Sequence, residues 1–305
     1  MTNVESDRSE GPLKGRLEDS APEQSGSAGS LVLVATPIGN LGDISRRAIE
    51  ALTRADLVCC EDTRHTGKML KMLGIVPRRL LSLYEHNEAE RTAEIVDRIV
   101  RGELVALVSD AGTPVISDPG ERVVANVAAA GLVVSTIPGP SAGVAALSIS
   151  GLPAERFAFL GFLPRKGRER EAQLSAIATS EMTSILYESP LRMQDTLEVL
   201  HRSCGGDRSV AIIRELTKLH EEVWRGTLAE AVARVDVERR GEHVIVVAPA
   251  KAQQEGPKDD FAEKLGRLIE AGLSRRDAAN ALEILLEVPH RVAYQSALGV
   301  EPTAK

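Results

Sequence analysis

Short apolar runs alternate with amphipathic stretches from Leu31 onward. Leu31-Val32-Leu33-Val34-Ala35 is rich in strand-forming residues, and comparable runs recur at 56–60, 80–84, 104–109 and 132–137. Between them, apolar positions fall at helical spacing over 43–54, 64–73, 87–101 and 119–130. Gly74, Gly102 and Gly131 stand just past three of these stretches, where helix ends favour glycine. This alternation predicts a mostly parallel sheet with covering helices, an α/β domain over 31–137.

After Pro138 the pattern changes. An apolar helical stretch at 141–149 precedes strand-like runs at 157–162, 183–188, 209–214, 221–226 and 243–248, with helices expected at 168–179 and 190–203. The last strands lie close enough in sequence for antiparallel pairing. The chain therefore predicts a second α/β domain over 138–250. Residues 250–259 read as a polar linker, and 260–272, 274–287 and 290–298 as helices of a small C-terminal extension over 257–305. Ser274 and Asp277 have the spacing of a helix N-cap and its acidic partner. Residues 1–30, rich in Ser, Gly, Glu and Asp, read as a disordered tail. No internal repeat is apparent.

Three of the first-domain strands end in loops dense in Gly and Pro. These are Thr36-Pro37-Ile38-Gly39-Asn40, then Ser109-Asp110-Ala111-Gly112-Thr113-Pro114-Val115, and Pro138-Gly139-Pro140-Ser141-Ala142. Loops at the carboxyl ends of parallel strands face the ligand crevice of an open α/β sheet. Gly112 allows close backbone approach, while Ser109 and Asp110 offer a donor and an acceptor. A capped βα connection explains one such loop; three in one domain point to a shared crevice. The G-x-G-x-x-G spacing of dinucleotide-binding loops is absent.

Composition narrows the function classes. The net charge is −7, of which residues 1–30 carry −3. That is a poor footprint for generic nucleic-acid binding, so any RNA contact must be local. The low aromatic content, 3%, leaves Leu, Val, Ile and Ala to fill the cores. Neither a membrane-spanning run nor a signal-peptide pattern is read, and a cytoplasmic location is expected. Cys59, Cys60 and Cys204 read as free thiols. His201 and Cys204 lack a second ligand pair, so no metal is expected.

Longer motifs carry a resemblance. Ala35-Thr36-Pro37-Ile38-Gly39-Asn40-Leu41-Gly42-Asp43-Ile44, Glu61-Asp62-Thr63-Arg64-His65-Thr66-Gly67 and Ser109-Asp110-Ala111-Gly112-Thr113-Pro114 are three of them. Pro138-Gly139-Pro140-Ser141-Ala142, Gly161-Phe162-Leu163-Pro164, Tyr187-Glu188-Ser189-Pro190-Leu191-Arg192 and Arg214-Glu215-Leu216-Thr217-Lys218 complete the set. From about Leu31 to Leu298 the chain resembles the ribosomal RNA methyltransferases of the tetrapyrrole methylase superfamily. The resemblance implies two α/β domains with S-adenosylmethionine in the cleft between them, and usually a homodimer. It also implies methyl transfer to a cytidine 2′-hydroxyl of 16S rRNA, within the small ribosomal subunit. Small-molecule members have a Gly-rich loop where this chain has Thr36-Pro37-Ile38-Gly39-Asn40, which favours the RNA branch.

Carried over residue by residue, the resemblance implies cofactor contacts at Pro37, Ser109, Asp110, Ala111, Gly112, Val115, Pro140, Ser141 and Ala142. It adds Leu186, Tyr187, Arg214 and Glu215 from the second domain. A ribose hydroxyl is a poor nucleophile, so a base or a local cation is expected beside it. Glu61, Asp62 and Arg64 are the catalytic candidates, with His65 and Glu188 behind them; Asp62 fits an N-cap of the following helix equally well. Arg165, Lys166 and Arg168, with Arg275 and Arg276, are candidate RNA contacts. Two alternatives are a methylase of tetrapyrrole-like small molecules and a non-catalytic RNA- or nucleotide-binding module.

Overall fold

Alternate residues of β1 (Ser30–Val34) point to opposite faces, and each face is claimed by a different core. Val32 and Val34 pack with Ala106 and Val108 of β4 (Leu104–Val108), together with Ala48 and Leu52 of α1 (Arg46–Arg54) and Met69 and Leu70 of α2 (Thr63–Met72). Leu31 packs on the other side with Val105, Leu107, Ile95 and Ile99 of α3 (Glu88–Val100), and Val123 and Val127 of α4 (Glu121–Ala129). Helices on both faces explain why these strands are apolar throughout.

The computed structural model describes residues 29–234, 241–250 and 258–286. With β2 (Leu57–Cys60), β3 (Leu80–Ser82) and β5 (Val133–Ile137), the first sheet runs in the order β3-β2-β4-β1-β5, all parallel. The expected helix ends hold: Gly74, Gly102 and Gly131 follow α2, α3 and α4 at φ +72°, +93° and +69°.

The second sheet contains β6 (Phe157–Phe162), β7 (Thr183–Glu188), β8 (Ser209–Arg214), β9 (Glu222–Thr227) and β10 (His243–Val247). Its order is β6-β7-β10-β8-β9. Only the β6–β7 pair is parallel; the rest pair antiparallel. Leu186, Val210, Ile212, Ile245 and Val247 pack against α6 (Arg168–Thr179), α7 (Met193–Cys204) and α8 (Leu228–Ala233). α8 was not expected. It is short, and the capping box between Thr227 and Glu230 starts it.

The described chain divides into two compact units. One runs to Ala145 and takes in Leu216–His220; the other comprises Ala146–Glu215 and the described residues from Glu221 on. The division falls within α5 (Ala142–Ser150) rather than at Pro138. α9 (Lys258–Glu270) and α10 (Arg275–Leu286) pair through Leu265, Ala278 and Ala279. Ser274 caps α10, its hydroxyl accepting from the Asp277 N–H and donating to the Asp277 carboxylate. The expected N-terminal tail up to residue 28, most of the 250–259 linker and the third C-terminal helix lie outside the described residues.

Candidate functional site

The order β4-β1-β5 sets three strand tips side by side in the first unit. The loops beyond them are then tied together. The Thr36 N–H donates to the Gly112 carbonyl at 2.9 Å, and the Gly112 N–H returns a bond to the Thr36 carbonyl at 3.1 Å. The Thr36 hydroxyl donates to the Ser109 carbonyl, and the Thr113 hydroxyl to the Pro140 carbonyl, each at 3.1 Å. Pro37, Ser109, Asp110, Ala111, Gly112, Pro140, Ser141 and Ala142 are therefore brought together around one sheet edge. Gly112 has φ +90°, and a Cβ there would lie 3.3 Å from Ile38 Cγ2, so the approach is close as well as left-handed.

The β4 loop stores strain beyond Gly112. Val115 and Ser117 adopt φ of +75° and +64°. A β-branched residue in this region is an outlier, and such residues gather at ligand-binding segments. The loop is fixed downstream by Glu88, whose Oε1 accepts from the N–H groups of Gly120 and Arg122 at 3.0 Å each. That carboxylate caps α4 from another helix, because Gly120 has no side chain to do so.

Carboxylates crowd the neighbouring tip of β2. The Asp62 side chain accepts from the Arg64 N–H at 2.8 Å and pairs with the Arg64 guanidinium at 3.0 Å. These bonds hold its carboxyl down at about 2. Asp62 is thus the N-cap of α2, and a carboxylate so stabilised is a weak base. The Asp62 N–H also reaches Asp110 Oδ1 at 3.4 Å. Burial, then the charges of Asp110 and Asp62, push the Glu61 carboxyl above its ordinary range. Asp118 stands with this group. Burial first, then the charges of Glu61 and Asp110, raise its carboxyl to about 6, with Ser109 pulling the other way. Asp118 was not expected as a site residue; its sequence signal is only its place between Ser117 and Pro119 in the motif.

A second unexpected member comes from far along the chain. Leu216–His220 belongs to the first unit. A Cβ on Gly39 would meet Lys218 Cγ at 2.4 Å, Thr217 Oγ1 at 2.9 Å and the Leu216 carbonyl at 3.0 Å. Only glycine permits that contact between the β1 loop and the segment after β8. Thr217, like Val115, is β-branched with a positive φ, +66°.

The remaining predicted residues, His65 of α2 apart, lie in the second unit. Leu186 is fully buried in its core. Tyr187 lies against Phe159 and Phe162, with ring centroids 4.9 and 5.7 Å away. Arg214 is paired with Glu222 at 3.4 Å. Glu215, at φ +51°, accepts from the Glu242 N–H at 3.0 Å. Glu188 is not available as a base: it is buried, and accepts from the Ser189 N–H at 2.7 Å and the Thr196 hydroxyl at 2.6 Å. Arg165, Lys166 and Arg168 are exposed around the start of α6, as are Arg275 and Arg276 at the start of α10. His65 is exposed on α2. Among the described residues no cluster of His, Cys, Asp and Glu is arranged to hold a metal.

Comparison with known proteins fits this architecture. Residues 30–232 match the family described as tetrapyrrole (corrin/porphyrin) methylases. A Synechocystis sp. protein named ribosomal RNA small subunit methyltransferase I is 44% identical over 276 residues, 90% of this chain and 99% of its own. A protein of the same name from Escherichia coli O157:H7 is 42% identical over 275 residues, 89% of this chain and 96% of its own. The crystal structure of the methyltransferase CobJ has a TM-score of 0.56 at 20% identity, covering 75% of this chain and 97% of that one, a likeness of fold.

Proposed function

This chain belongs to the tetrapyrrole methylase family, and on that premise we propose that it methylates the ribose 2′-hydroxyl of a cytidine in 16S rRNA. The methyl donor is S-adenosylmethionine and the substrate lies within the small ribosomal subunit. One observation carries the reading: relatives named ribosomal RNA small subunit methyltransferase I match over nearly their whole length. A soluble cytoplasmic homodimer is part of the same proposal. Among the described residues no helix is long and apolar enough to cross a membrane.

The residues present fit the cofactor. It combines an adenine, a cationic sulfonium and an amino-acid end, and the tied loops offer backbone donors and acceptors beside the Asp110 carboxylate. Pro37, Ser109, Asp110, Ala111, Gly112, Val115, Pro140, Ser141 and Ala142 would hold it. When bound, S-adenosylmethionine supplies an electrophilic methyl group. The chain's own residues do the rest. Asp62 fixes the start of α2 and orients Arg64 at its mouth. Glu61, whose carboxyl is raised, is the better placed of the two acids to accept a proton at a carboxylate oxygen. Arg165, Lys166, Arg168, Arg275 and Arg276 are proposed to meet phosphates.

The test is transfer of labelled methyl to small ribosomal subunits from cells lacking the protein, followed by nucleoside analysis. Labelled 2′-O-methylcytidine is expected. Label on a base or on a tetrapyrrole would overturn the assignment, and cofactor binding without transfer would leave a binding module.

A further inference from the structure

The outward face of α2 carries three cations, of which Arg64 pairs with Asp62 at the start of the helix and Lys68 and Lys71 have no acidic partner among the described residues. Thr66, Met69 and Leu70 turn the helix toward the core. Arg64, Lys68 and Lys71 lie on the opposite side, all exposed. At helical spacing the three fall within about 60° of arc and span about 10 Å. No Asp or Glu occurs between Thr63 and Met72.

Several other cations of the unit are matched on the protein itself. Arg46, Arg78, Arg79, Arg91 and Arg98 each face a carboxylate on the protein: Glu50, Asp56, or Glu94 for the last three. Among the described residues, Lys68 and Lys71 have no ion pair or side-chain hydrogen bond. Other cations of the unit, Arg47 and Arg54 among them, also have no ion pair among the described residues; what α2 adds is two unpaired lysines in line with no Asp or Glu between Thr63 and Met72. The helix starts at Asp62, whose N–H contacts Asp110 at the β4 tip, so the stripe runs directly away from the candidate site.

We infer that the Arg64-Lys68-Lys71 face of α2 is a docking surface for the ribose-phosphate backbone of the RNA strand that presents the target nucleotide. The inference rests on the RNA-methylating reading above and extends it to residues outside the tied loops. Charge complementarity identifies the occupant: a row of cations matches a polyanion, and long lysine side chains follow phosphates without reading bases. Two lysines make position and affinity, not sequence choice.

Two double variants test it, both on exposed positions outside the core. With K68E/K71E, the KM for small ribosomal subunits should rise about tenfold or more at moderate salt, while kcat at saturation holds. Cofactor affinity by calorimetry and thermal midpoint should match the wild type. With K68A/K71A, the slope of log KM against log salt should fall by about two, one per lost phosphate contact. An unchanged KM and slope, in a preparation whose wild type methylates RNA, would overturn the docking surface alone. A wild type that binds cofactor but transfers no methyl to RNA would overturn the underlying reading and the surface with it.

Discussion

Gly112 combines a left-handed backbone with a paired amide and carbonyl, so its substitution acts through conformation before it acts through bulk. Gly112→Val should cost about 1–2 kcal/mol of stability for the strained φ alone. Cofactor affinity should fall further than Gly112→Ala lowers it, because the two extra methyl groups crowd a place where a Cβ alone already lies 3.3 Å from Ile38. Thermal unfolding and calorimetric titration of both variants separate the two effects; normal cofactor binding by Gly112→Val would remove this loop from the site. Asp118 offers a pH signature. Its native carboxyl at about 6 lies above its ordinary 3.8, so the folded protein holds this proton more tightly than the unfolded chain. That contribution to stability is full below about pH 4 and is lost as pH rises through about 6. Asp118→Asn lacks the loss. Relative to wild type it should gain about 1 kcal/mol between pH 4 and 7, a figure discounted for partial exposure. Denaturant melts across that range check it, and parallel curves would show that Asp118 is not buried against like charge.

At the scale of elements, the bond from Glu88 to two N–H groups joins α3 to the start of α4, downstream of the strained loop. Glu88→Ala should lower stability by about 1–2 kcal/mol, as loss of a helix cap does, and Glu88→Gln should recover part of it. Hydrogen exchange at the first turn of α4 should rise in the alanine variant; an unchanged pattern would mean that water replaces the carboxylate without loss. This joint was not readable from sequence, since Glu88 looks like an ordinary first-turn acid of α3. The strands were readable because burial on both faces leaves them apolar throughout and rich in strand-forming residues, with Leu31 and Val32 claimed by different cores. The three strand-end loops were readable too, from their Gly and Pro content and from the alternation that places them at one edge. What escaped was tertiary. Thr217 and Lys218 sit in a motif after the eighth strand, and nothing local says that this segment rejoins the first unit beside Gly39. Asp118 likewise becomes unusual only once Glu61 and Asp110 surround it.

At the scale of the whole molecule, net charge decides how the protein finds its substrate. A chain at −7 repels polyanions at long range, and its unpaired cations act locally. Affinity for arbitrary RNA grows with the number of phosphates neutralised, and three side chains along α2 neutralise few. Recognition must then come from an RNA held in a shape that meets the α2 stripe and the strand-tip loops at once, which an assembled subunit provides and a random coil does not. Methyl transfer to small subunits should accordingly resist a roughly tenfold mass excess of unrelated RNA, with inhibition below about twofold at physiological salt. Competition of this kind, read as initial rate against competitor concentration, is decisive in both directions. Strong inhibition would mean that a general electrostatic footprint exists despite the acidic balance. Weak inhibition, together with a modest salt dependence on the true substrate, about one power of salt concentration per phosphate met, is what a short cationic stripe beside a preformed crevice requires.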